Sequence, residues 1–364
     1  MGLERCGGCG LPVYVRLAAR WNDDGTVTGR FVHSTRVVQI YSDELDFIFD
    51  GLAERIGFDI NRIIVEGERK AGLAFTAPLL GRWRGLPGAV ARNALVSRFV
   101  FGFVARAGKS AGFGDLRVTG YRRNELLEIT VSDSFNPAIL AGNTLGSFEA
   151  FARKPSRVSW ERRADTVVIT VEAGGWEDRS DEDRLKPRLP VVLPGRYTVE
   201  RCPRCGMPAD LGRRYDFDLK RGIATEVSSG RRIVTVMIDS LNAVFKELES
   251  ELGEEVGDMI VALESDYAAC VADVPAGTDD DKTGTDDDKT IGELLSDLRI
   301  KGMGNPTEIS LVDDELLVRI ENPFSEELLA GRVLGLYRAV KGEPAEVRWT
   351  PDEEGFMFVK VFRP

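Results

Sequence analysis

The sequence predicts an α+β fold in which one α+β module is present twice, an internal duplication with zinc-ribbon-like knuckles. The first observation is a pair of Cys-x-x-Cys-Gly motifs, Cys6 to Gly10 and Cys202 to Gly206, which open the two copies. The second is that apolar residues at helical spacing and strands of alternating polarity follow each motif in the same order. A repeat that keeps both identities and apolar spacing predicts two copies of one structural unit.

A shift of 196 residues aligns the two copies without gaps over about seventy residues. Further along the chain, residues 116–120 match residues 298–302, and residues 140–142 match residues 329–331. Identical residues in the ungapped part include Arg36 and Arg232, Asp43 and Asp239, Phe49 and Phe245, Leu52 and Leu248, and Glu68 and Glu264.

Hydrophobic periodicity predicts the elements of the first copy in order. Residues 43–56 have apolar residues at helical spacing, an acidic first turn and Gly57 as a stop signal, so they are predicted to form a helix. Residues 138–152 are predicted as another helix, with Gly142 and Gly146 on one face for close packing. The predicted strands are one that ends near Ile40, residues 62–66, residues 126–131, and the hairpin of residues 157–161 and 167–171.

The composition predicts the domain boundaries. Residues 1–175 form the first repeat, residues 176–195 a charged, proline-containing linker, and residues 196–364 a shortened, acidic second repeat. In the second repeat the unit Gly-Thr-Asp-Asp-Asp-Lys-Thr occurs twice in succession, at residues 277–290. This stretch has no apolar residue and is predicted to be a solvated loop. Its aspartates also raise the possibility of calcium, but their spacing lacks the glycine and terminal glutamate of an EF-hand.

Bulk properties limit the classes of protein to which the chain can belong. Hydrophobic residues make up 43% of its 364 residues, enough for a core of ordinary size. We find neither a signal peptide nor an apolar run of about 18 residues, so we expect a cytoplasmic protein without a membrane partner. The net charge of −11 divides into +3 for residues 1–195 and −14 for residues 196–364. The acidic second half disfavours extensive nucleic-acid binding.

Four of the five cysteines lie in the two knuckles, and this predicts a metal site. A structural zinc ion needs four ligands, and each knuckle supplies two. The simplest solution is one zinc bound by Cys6, Cys9, Cys202 and Cys205, which would join the two repeats. Two separate redox-active or idle pairs, and an iron–sulfur cluster, remain alternatives. The fifth cysteine, Cys270, has no partner motif and is expected to be a small buried residue.

Residues 82–123 are strongly basic and interleaved with aromatic residues. Nine arginines and lysines stand there against one aspartate and no glutamate. This pattern fits a pocket for an aromatic anion, a nucleic-acid surface, or a core helix whose arginines face solvent. For the pocket, the candidate ligand-binding residues are Arg82, Trp83, Arg84, Phe99 and Phe103.

The stretch from residue 63 onward resembles the 4-vinyl reductase (hydrocarbon-binding) domain family. The resemblance rests on Gly67-Glu-Arg-Lys-Ala-Gly72, on Gly112-Phe-Gly-Asp-Leu-Arg-Val118, on residues 141–150 and on residues 158–161, and it extends to the closing strand of the first repeat. It implies a small-molecule-binding domain that acts as a ligand sensor or as an accessory protein of tetrapyrrole metabolism. The chain departs from the family in having no cysteine between residues 10 and 201, so the family's later metal ligands cannot be transferred.

Together these observations predict a non-catalytic, zinc-containing protein that binds a hydrophobic or aromatic anionic small molecule for a regulatory or accessory purpose. The first repeat is expected to keep the pocket, whereas the second, without counterparts of Gly67 and Gly72, is expected to have a degenerate one. The alternatives are a nucleic-acid-associated zinc-ribbon protein and an enzyme or accessory factor of tetrapyrrole metabolism. No catalytic arrangement of residues in the sequence supports the enzyme.

Overall fold

The computed structural model repeats one order of twelve elements in its two halves, as far as the chain is described. It describes residues 5–30, 35–81, 94–174, 192–195, 197, 199–272, 274, 284–352 and 354–364. The first half contains α1 (Val13–Ala18), β1 (Ala19–Trp21), β2 (Val27–Gly29), β3 (Arg36–Tyr41), α2 (Ser42–Ile56), α3 (Asn61–Gly81), α4 (Ala94–Ser110), β4 (Asp115–Arg122), β5 (Leu126–Ser132), α5 (Pro137–Ala152), β6 (Ser156–Arg163) and β7 (Thr166–Ala173). The second contains α6 (Leu211–Arg214), β8 (Tyr215–Asp218), β9 (Ile223–Glu226), β10 (Arg232–Met237), α7 (Ile238–Leu252), α8 (Glu255–Val271), α9 (Gly284–Lys301), β11 (Asn305–Val312), β12 (Glu315–Glu321), α10 (Glu326–Lys341), β13 (Glu346–Pro351) and β14 (Phe356–Phe362).

The two halves share a central six-stranded sheet with the strand order β1-β2-β3-β10-β9-β8. Strands β3 and β10, one from each half, pair in antiparallel fashion at its centre, with Gln39 opposite Thr235 and Val38 opposite Val236. Gln39 and Thr235 occupy equivalent positions after the two knuckles, so their pairing places an approximate two-fold axis between them. The halves are therefore joined through backbone hydrogen bonds within one sheet.

Each half also has a four-stranded antiparallel sheet, in the orders β4-β5-β7-β6 and β11-β12-β14-β13. Helices cross between the halves, since α3 contacts α7 and α8 contacts α2. Within each half, α3 packs on α5 and α8 packs on α10. A Cβ atom on Gly142 would lie 2.5 Å from the carbonyl oxygen of Val65, and one on Gly331 would lie 2.6 Å from that of Val261. The predicted close packing along the glycine face of residues 138–152 is confirmed.

Residues 62–66 belong to helix α3, so the strand predicted there is wrong. The run of Ile63, Ile64 and Val65 has a local preference for strand. The helix nevertheless buries Ile64, together with Ile60 just before it, in the main core. Burial of this face outweighs the local preference. The Gly67 and Gly72 pair therefore lies inside a helix rather than at its opening.

The predicted loop at residues 277–290 is corrected in its second part, because residues 284–290 form the first turns of α9. Residues 277–283 lie outside the described part of the chain. The side chain of Asp287 forms an ion pair of 2.9 Å with Lys341 on α10. This contact supports a helix that the acidic sequence alone would not predict, and it occupies a carboxylate that the calcium interpretation requires.

The sequence match between residues 116–120 and residues 298–302 is also wrong, since the first lie in strand β4 and the second mostly in helix α9. Repeated backbone hydrogen bonds show the structural equivalence. The N–H of Phe113 donates to the carbonyl oxygen of Gly108, and the N–H of Met303 donates to that of Leu298. Gly108 therefore corresponds to Leu298, and Phe113 corresponds to Met303.

No helix of the described residues is both long enough and apolar enough to cross a membrane.

Candidate metal centre and ligand cavity

Both knuckles fold in the same way and present their sulfur atoms to each other. In the first, the N–H of Cys6 donates to the carbonyl oxygen of Leu11, and the N–H of Gly10 donates to that of Cys6. The second knuckle repeats these two bonds at Cys202 and Gly206. Gly10 and Gly206 have positive φ angles of 76° and 72°, which explains a glycine after each Cys-x-x-Cys.

The four cysteines lie close enough to bind one metal ion. All four sulfur atoms are within 4.8 Å of one another. The Sγ atoms of Cys6 and Cys202 are 3.8 Å apart, and those of Cys9 and Cys205 are 3.5 Å apart. In a tetrahedral site with metal–sulfur bonds of about 2.3 Å, the length found for zinc, the sulfur atoms are about 3.8 Å apart. The two distances between the knuckles are close to this value, so the four sulfur atoms can surround one metal ion.

The backbone of each knuckle stabilises the thiolate of its first cysteine. The N–H groups of Cys9 and of the residue before it donate to Cys6 and lower the pKa of that thiol to about 6. The equivalent amides lower the pKa of Cys202. Burial raises the pKa of Cys9, and it raises that of Cys205 to about 12. A divalent cation at the centre would stabilise all four thiolates, which are the metal-binding form of cysteine.

Contacts between the halves hold the two knuckles in register. Arg5 donates to the carbonyl oxygen of Phe217, at 2.9 Å, in the second half. Arg201, its equivalent, donates to that of Trp21, at 3.2 Å, in the first half. A Cβ atom on Gly212 would lie 1.7 Å from the carbonyl oxygen of Cys9, so α6 packs directly against the first knuckle. The four-cysteine cluster thus lies where each half contacts the other.

An apolar cavity of about 170 Å³ lies between α1, α3, α4 and α5, the central sheet, and strands β4 and β5. Helix α1, which follows the first knuckle directly, contributes Val15 and Ala18 to the wall. Glu68 is the one ionisable side chain among the described residues of the lining. Other lining residues include Trp21, Val37, Gln39, Phe75, Phe101, Val104, Ala107, Phe113, Leu140, Asn143, Thr144, Ser147 and Phe217.

Glu68 is buried at the polar end of this apolar cavity. Its carboxyl oxygens accept hydrogen bonds from the side chains of Ser240, at 2.9 Å, and Asn143, at 2.6 Å. Burial raises the pKa of Glu68 to about 7, and the two hydrogen bonds oppose that shift. No charged side chain of the described residues contributes to the shift. The carboxyl is therefore about half protonated near neutral pH.

We expect the Glu68→Gln variant to be more stable than the wild type at pH 8 by about 3 kcal/mol. The folded-state pKa of about 7 lies above the usual 4.5, so the folded protein holds this proton more tightly than the unfolded chain. The contribution of Glu68 to stability is therefore fully present below about pH 4.5 and is lost as the pH rises through 7. Glutamine cannot ionise and avoids this loss. Urea unfolding of both proteins between pH 4 and 8 measures the difference in their free energies of unfolding. A difference that does not change with pH would contradict a raised pKa of Glu68.

The predicted ligand-binding residues fall only partly within the described structure. Arg82, Trp83 and Arg84 lie outside the described residues, and so does the side chain of Phe99 on α4. Phe103 is half-buried on α4 and does not line the cavity. Their role in binding stays a prediction. The α4 residues that do line the cavity include Phe101, Val104, Ala105, Ala107 and Gly108.

Sequence reasoning did not single out the polar residues of the cavity as a site. Two signals were available. Glu68 and Glu264 are identical in the aligned repeats although both are buried, and Asn143 lies in a helix made mostly of apolar and small residues. Buried polar residues at such positions need partners and indicate specific contacts. The prediction for Cys270 is wrong, because this side chain is exposed on α8.

No protein-family model, no curated protein and no solved structure matches this chain. The resemblance to the 4-vinyl reductase domain family stays a prediction.

Proposed function

We propose that this chain is a non-catalytic small-molecule-binding protein, a sensor or accessory protein whose first half holds a hydrophobic or aromatic ligand. The observation that carries the proposal is the cavity of about 170 Å³, whose walls are mostly apolar and which contains the hydrogen-bonded polar pair of Glu68 and Asn143. Ligand sites are typically apolar, with a few placed polar groups that fix the orientation of the ligand. Part of the lining, including Glu68, Phe101 and Asn143, belongs to the stretch that resembles 4-vinyl reductase domains, and this agrees with a binding role.

The size and chemistry of the lining favour a compact, uncharged ligand. A dry apolar cavity of about 150 Å³ can hold one benzene ring, so this cavity suits a ligand of one or two fused rings. The described lining contains no arginine or lysine. An anionic group, as predicted from the basic segment, would have to reach Arg82 or Arg84 outside the described residues. A neutral ligand that donates a hydrogen bond to Glu68 needs no such contact.

The composition of the lining supports binding rather than turnover. Acid–base catalysis needs a second group of suitable pKa within reach of the substrate, or an activated nucleophile. Among the described residues, Glu68 is bonded to the amide of Asn143 and the hydroxyl of Ser240, and neither is paired with a base. We therefore prefer a binding protein to the alternative of a tetrapyrrole-metabolism enzyme.

We further propose that the chain is an internal duplication whose two copies share one structural zinc ion through Cys6, Cys9, Cys202 and Cys205. The repeated order of elements, the two-fold pairing of β3 with β10 and the sulfur spacing support this proposal. Four thiolates leave no open coordination position, so the metal would be structural. Because α1 follows the first knuckle directly, the metal would also hold one wall of the cavity in place.

Filling the cavity tests the binding proposal. We expect wild-type protein to bind indole, a neutral aromatic probe with one N–H donor, and the Ala107→Leu variant to bind it at least tenfold more weakly. The added carbons occupy the space that the ligand needs, and the backbone tolerates a larger residue there because the equivalent position in the second half is Asp297. Isothermal titration calorimetry measures the affinity.

The matched control is Ala339→Leu, which makes the same change on α10 at a half-buried position that lines neither this cavity nor its counterpart in the second half. It should bind indole as the wild type does. Equal affinity of Ala107→Leu and the wild type would show that indole binds elsewhere and would overturn the assignment of this cavity.

A further inference from the structure

The second half has a cavity in the same place as the apolar cavity of the first. Its volume is about 310 Å³. Equivalent residues are identified by their places in the repeated elements. Residues up to the ends of α3 and α8 are aligned by matching Cys6 with Cys202. Residues from α4 to β4 are aligned by matching Gly108 with Leu298, and residues of α5 by matching Gly142 with Gly331.

Nine pairs of equivalent residues line the two cavities, so the two sites are counterparts. With the residue of the apolar cavity named first, they are Ala18 and Arg214, Phe75 and Val271, Val104 and Leu294, Ala107 and Asp297, Gly108 and Leu298, Ala111 and Lys301, Asn143 and Arg332, Ser147 and Leu336, and Met237 and Tyr41.

At four of these positions a charged residue replaces a small or neutral one. Arg214, Asp297, Lys301 and Arg332 stand where the apolar cavity has three alanines and an asparagine. The expectation that the second repeat has a degenerate pocket is therefore corrected, since the cavity persists with different chemistry. A need to fill the cavity does not explain these charged residues. Apolar residues would fill the same space without the cost of removing charged groups from water.

The charges of this second cavity are not balanced. Its described lining carries four carboxylates against three cations. A fifth carboxylate, Glu264, lies just behind the wall and accepts a hydrogen bond of 2.7 Å from Nε of Arg332. The carboxylates of the lining are Glu44, Glu226, Glu293 and Asp297, and the cations are Arg214, Lys301 and Arg332.

The cations are held by partners of the protein itself. Arg332 bridges Glu44 and Glu264, and its remaining guanidinium nitrogen faces the sulfur of Met303 at 3.0 Å. The ammonium of Lys301 lies 2.8 Å from Asp297 and 3.6 Å from Glu226. Arg214 also pairs with Asp297. These cations are therefore poorly placed to recruit an anionic ligand.

Two of the carboxylates retain acceptor capacity. Glu44 is fully buried and lines the cavity, yet its Oε2 has no hydrogen-bond partner among the described residues. Oε2 of Glu264 is likewise without a partner. Leaving a buried charged oxygen without a donor is costly. Burial raises the pKa of both groups, that of Glu264 to about 8, although the charge of Arg332 opposes the shift. At Glu44, burial thus outweighs the charges of Arg332 and Lys301.

We propose that the second cavity is a binding site for a small organic cation, a ligand with a protonated amine that Glu44 receives. The ammonium group supplies the donor that Oε2 of Glu44 lacks and neutralises the excess carboxylate of the lining. The rings of Tyr41 and Tyr267 also line the cavity, and the guanidinium of Arg231 packs against both of them. The protein thus combines one apolar and one cation-binding site on equivalent frameworks, independently of the function proposed for the first cavity.

Three probes of one chain length test the proposal on the full chain: n-butylammonium, n-butanol and butyrate. We expect butylammonium to bind with at least tenfold higher affinity than butanol or butyrate in calorimetric titration at pH 7. We expect Glu44→Gln to reduce its affinity at least tenfold. This substitution leaves Arg332 paired with Glu264, so the buried group stays charge-balanced and the fold is preserved. Glu226→Gln, which removes another carboxylate of the lining, provides a second variant with the same expected direction.

The matched control is Glu68→Gln, which changes the buried carboxyl of the first cavity and should leave butylammonium binding unchanged. Tighter binding of butyrate would overturn the proposal in favour of an anion site formed by Lys301 and Arg214. Binding lost in Glu68→Gln and kept in Glu44→Gln would also overturn it, because the amine would then occupy the apolar cavity. The absence of binding by any probe would overturn it too and would reduce the second cavity to a hydrated ion-pair network.

Discussion

Replacing Cys202 with serine is expected to abolish metal binding and to lower the free energy of unfolding by about 5 kcal/mol. A metal bound by both knuckles cross-links residues that are 196 positions apart in the chain. Closing a loop of this length lowers the entropy of the unfolded chain by the equivalent of about 5 kcal/mol. Three thiolates cannot complete the tetrahedron, so the cross-link is lost with the metal. Elemental analysis reports the zinc content, and guanidinium unfolding followed by tryptophan fluorescence reports the stability.

The matched control is Cys270→Ser, because Cys270 is exposed on α8 and is not one of the four clustered cysteines. It should keep one zinc per chain and unfold as the wild type does. A Cys202→Ser variant with undiminished zinc would show that the first knuckle binds metal without the second. A variant that loses its zinc at no cost in stability would show that the metal does not hold the halves together.

Replacing Gly146 with alanine is expected to lower the free energy of unfolding by about 4 kcal/mol. A Cβ atom on Gly146 would lie 1.8 Å from the carbonyl oxygen of Arg69 and 2.7 Å from the backbone nitrogen of Leu73. These neighbours are backbone atoms of α3, which cannot turn aside as a side chain can. Helices α3 and α5 would have to separate, and the main core they bury would loosen. Thermal and urea unfolding measure the loss.

Gly102→Ala is the matched control, since it makes the same change inside α4. A Cβ atom at Gly102 meets nothing within 4 Å among the described residues. Alanine should therefore raise stability by up to about 1 kcal/mol, through the higher helix preference of alanine. If the two variants changed stability by the same amount, the close approach of α3 and α5 would not be what requires glycine at position 146.

Much of the local structure could be predicted from the sequence, because hydrophobic period and stop signals are short-range. The helix at residues 43–56, which ends at Gly57 with a φ of 83°, and the hairpin of β6 and β7 are examples. The strand predicted at residues 62–66 and the loop at residues 284–290 failed for a common reason. Each belongs to a helix supported by contacts with distant residues, and local preference carries no information about such contacts.

Only one contact between the two halves could be predicted from the sequence, and this is the cluster of four cysteines. Cysteines at a fixed interval indicate a shared site, because one knuckle has too few ligands. The pairing of β3 with β10 could not be predicted, since an apolar strand can pair with either half. The cavities depend on that pairing, because Gln39 of β3 and Thr235 of β10 line the apolar one together. Their contrasting chemistry becomes visible only when equivalent positions such as Ala111 and Lys301 are compared in space.

Native mass spectrometry of the intact protein tests most directly whether one metal joins the two knuckles. The account predicts a single chain with the added mass of one zinc ion and no species with more. Two metal ions per chain would contradict it, because each knuckle would then recruit its own ion. A metal found only in species with two chains would also contradict it, because the ligands would then come from different molecules.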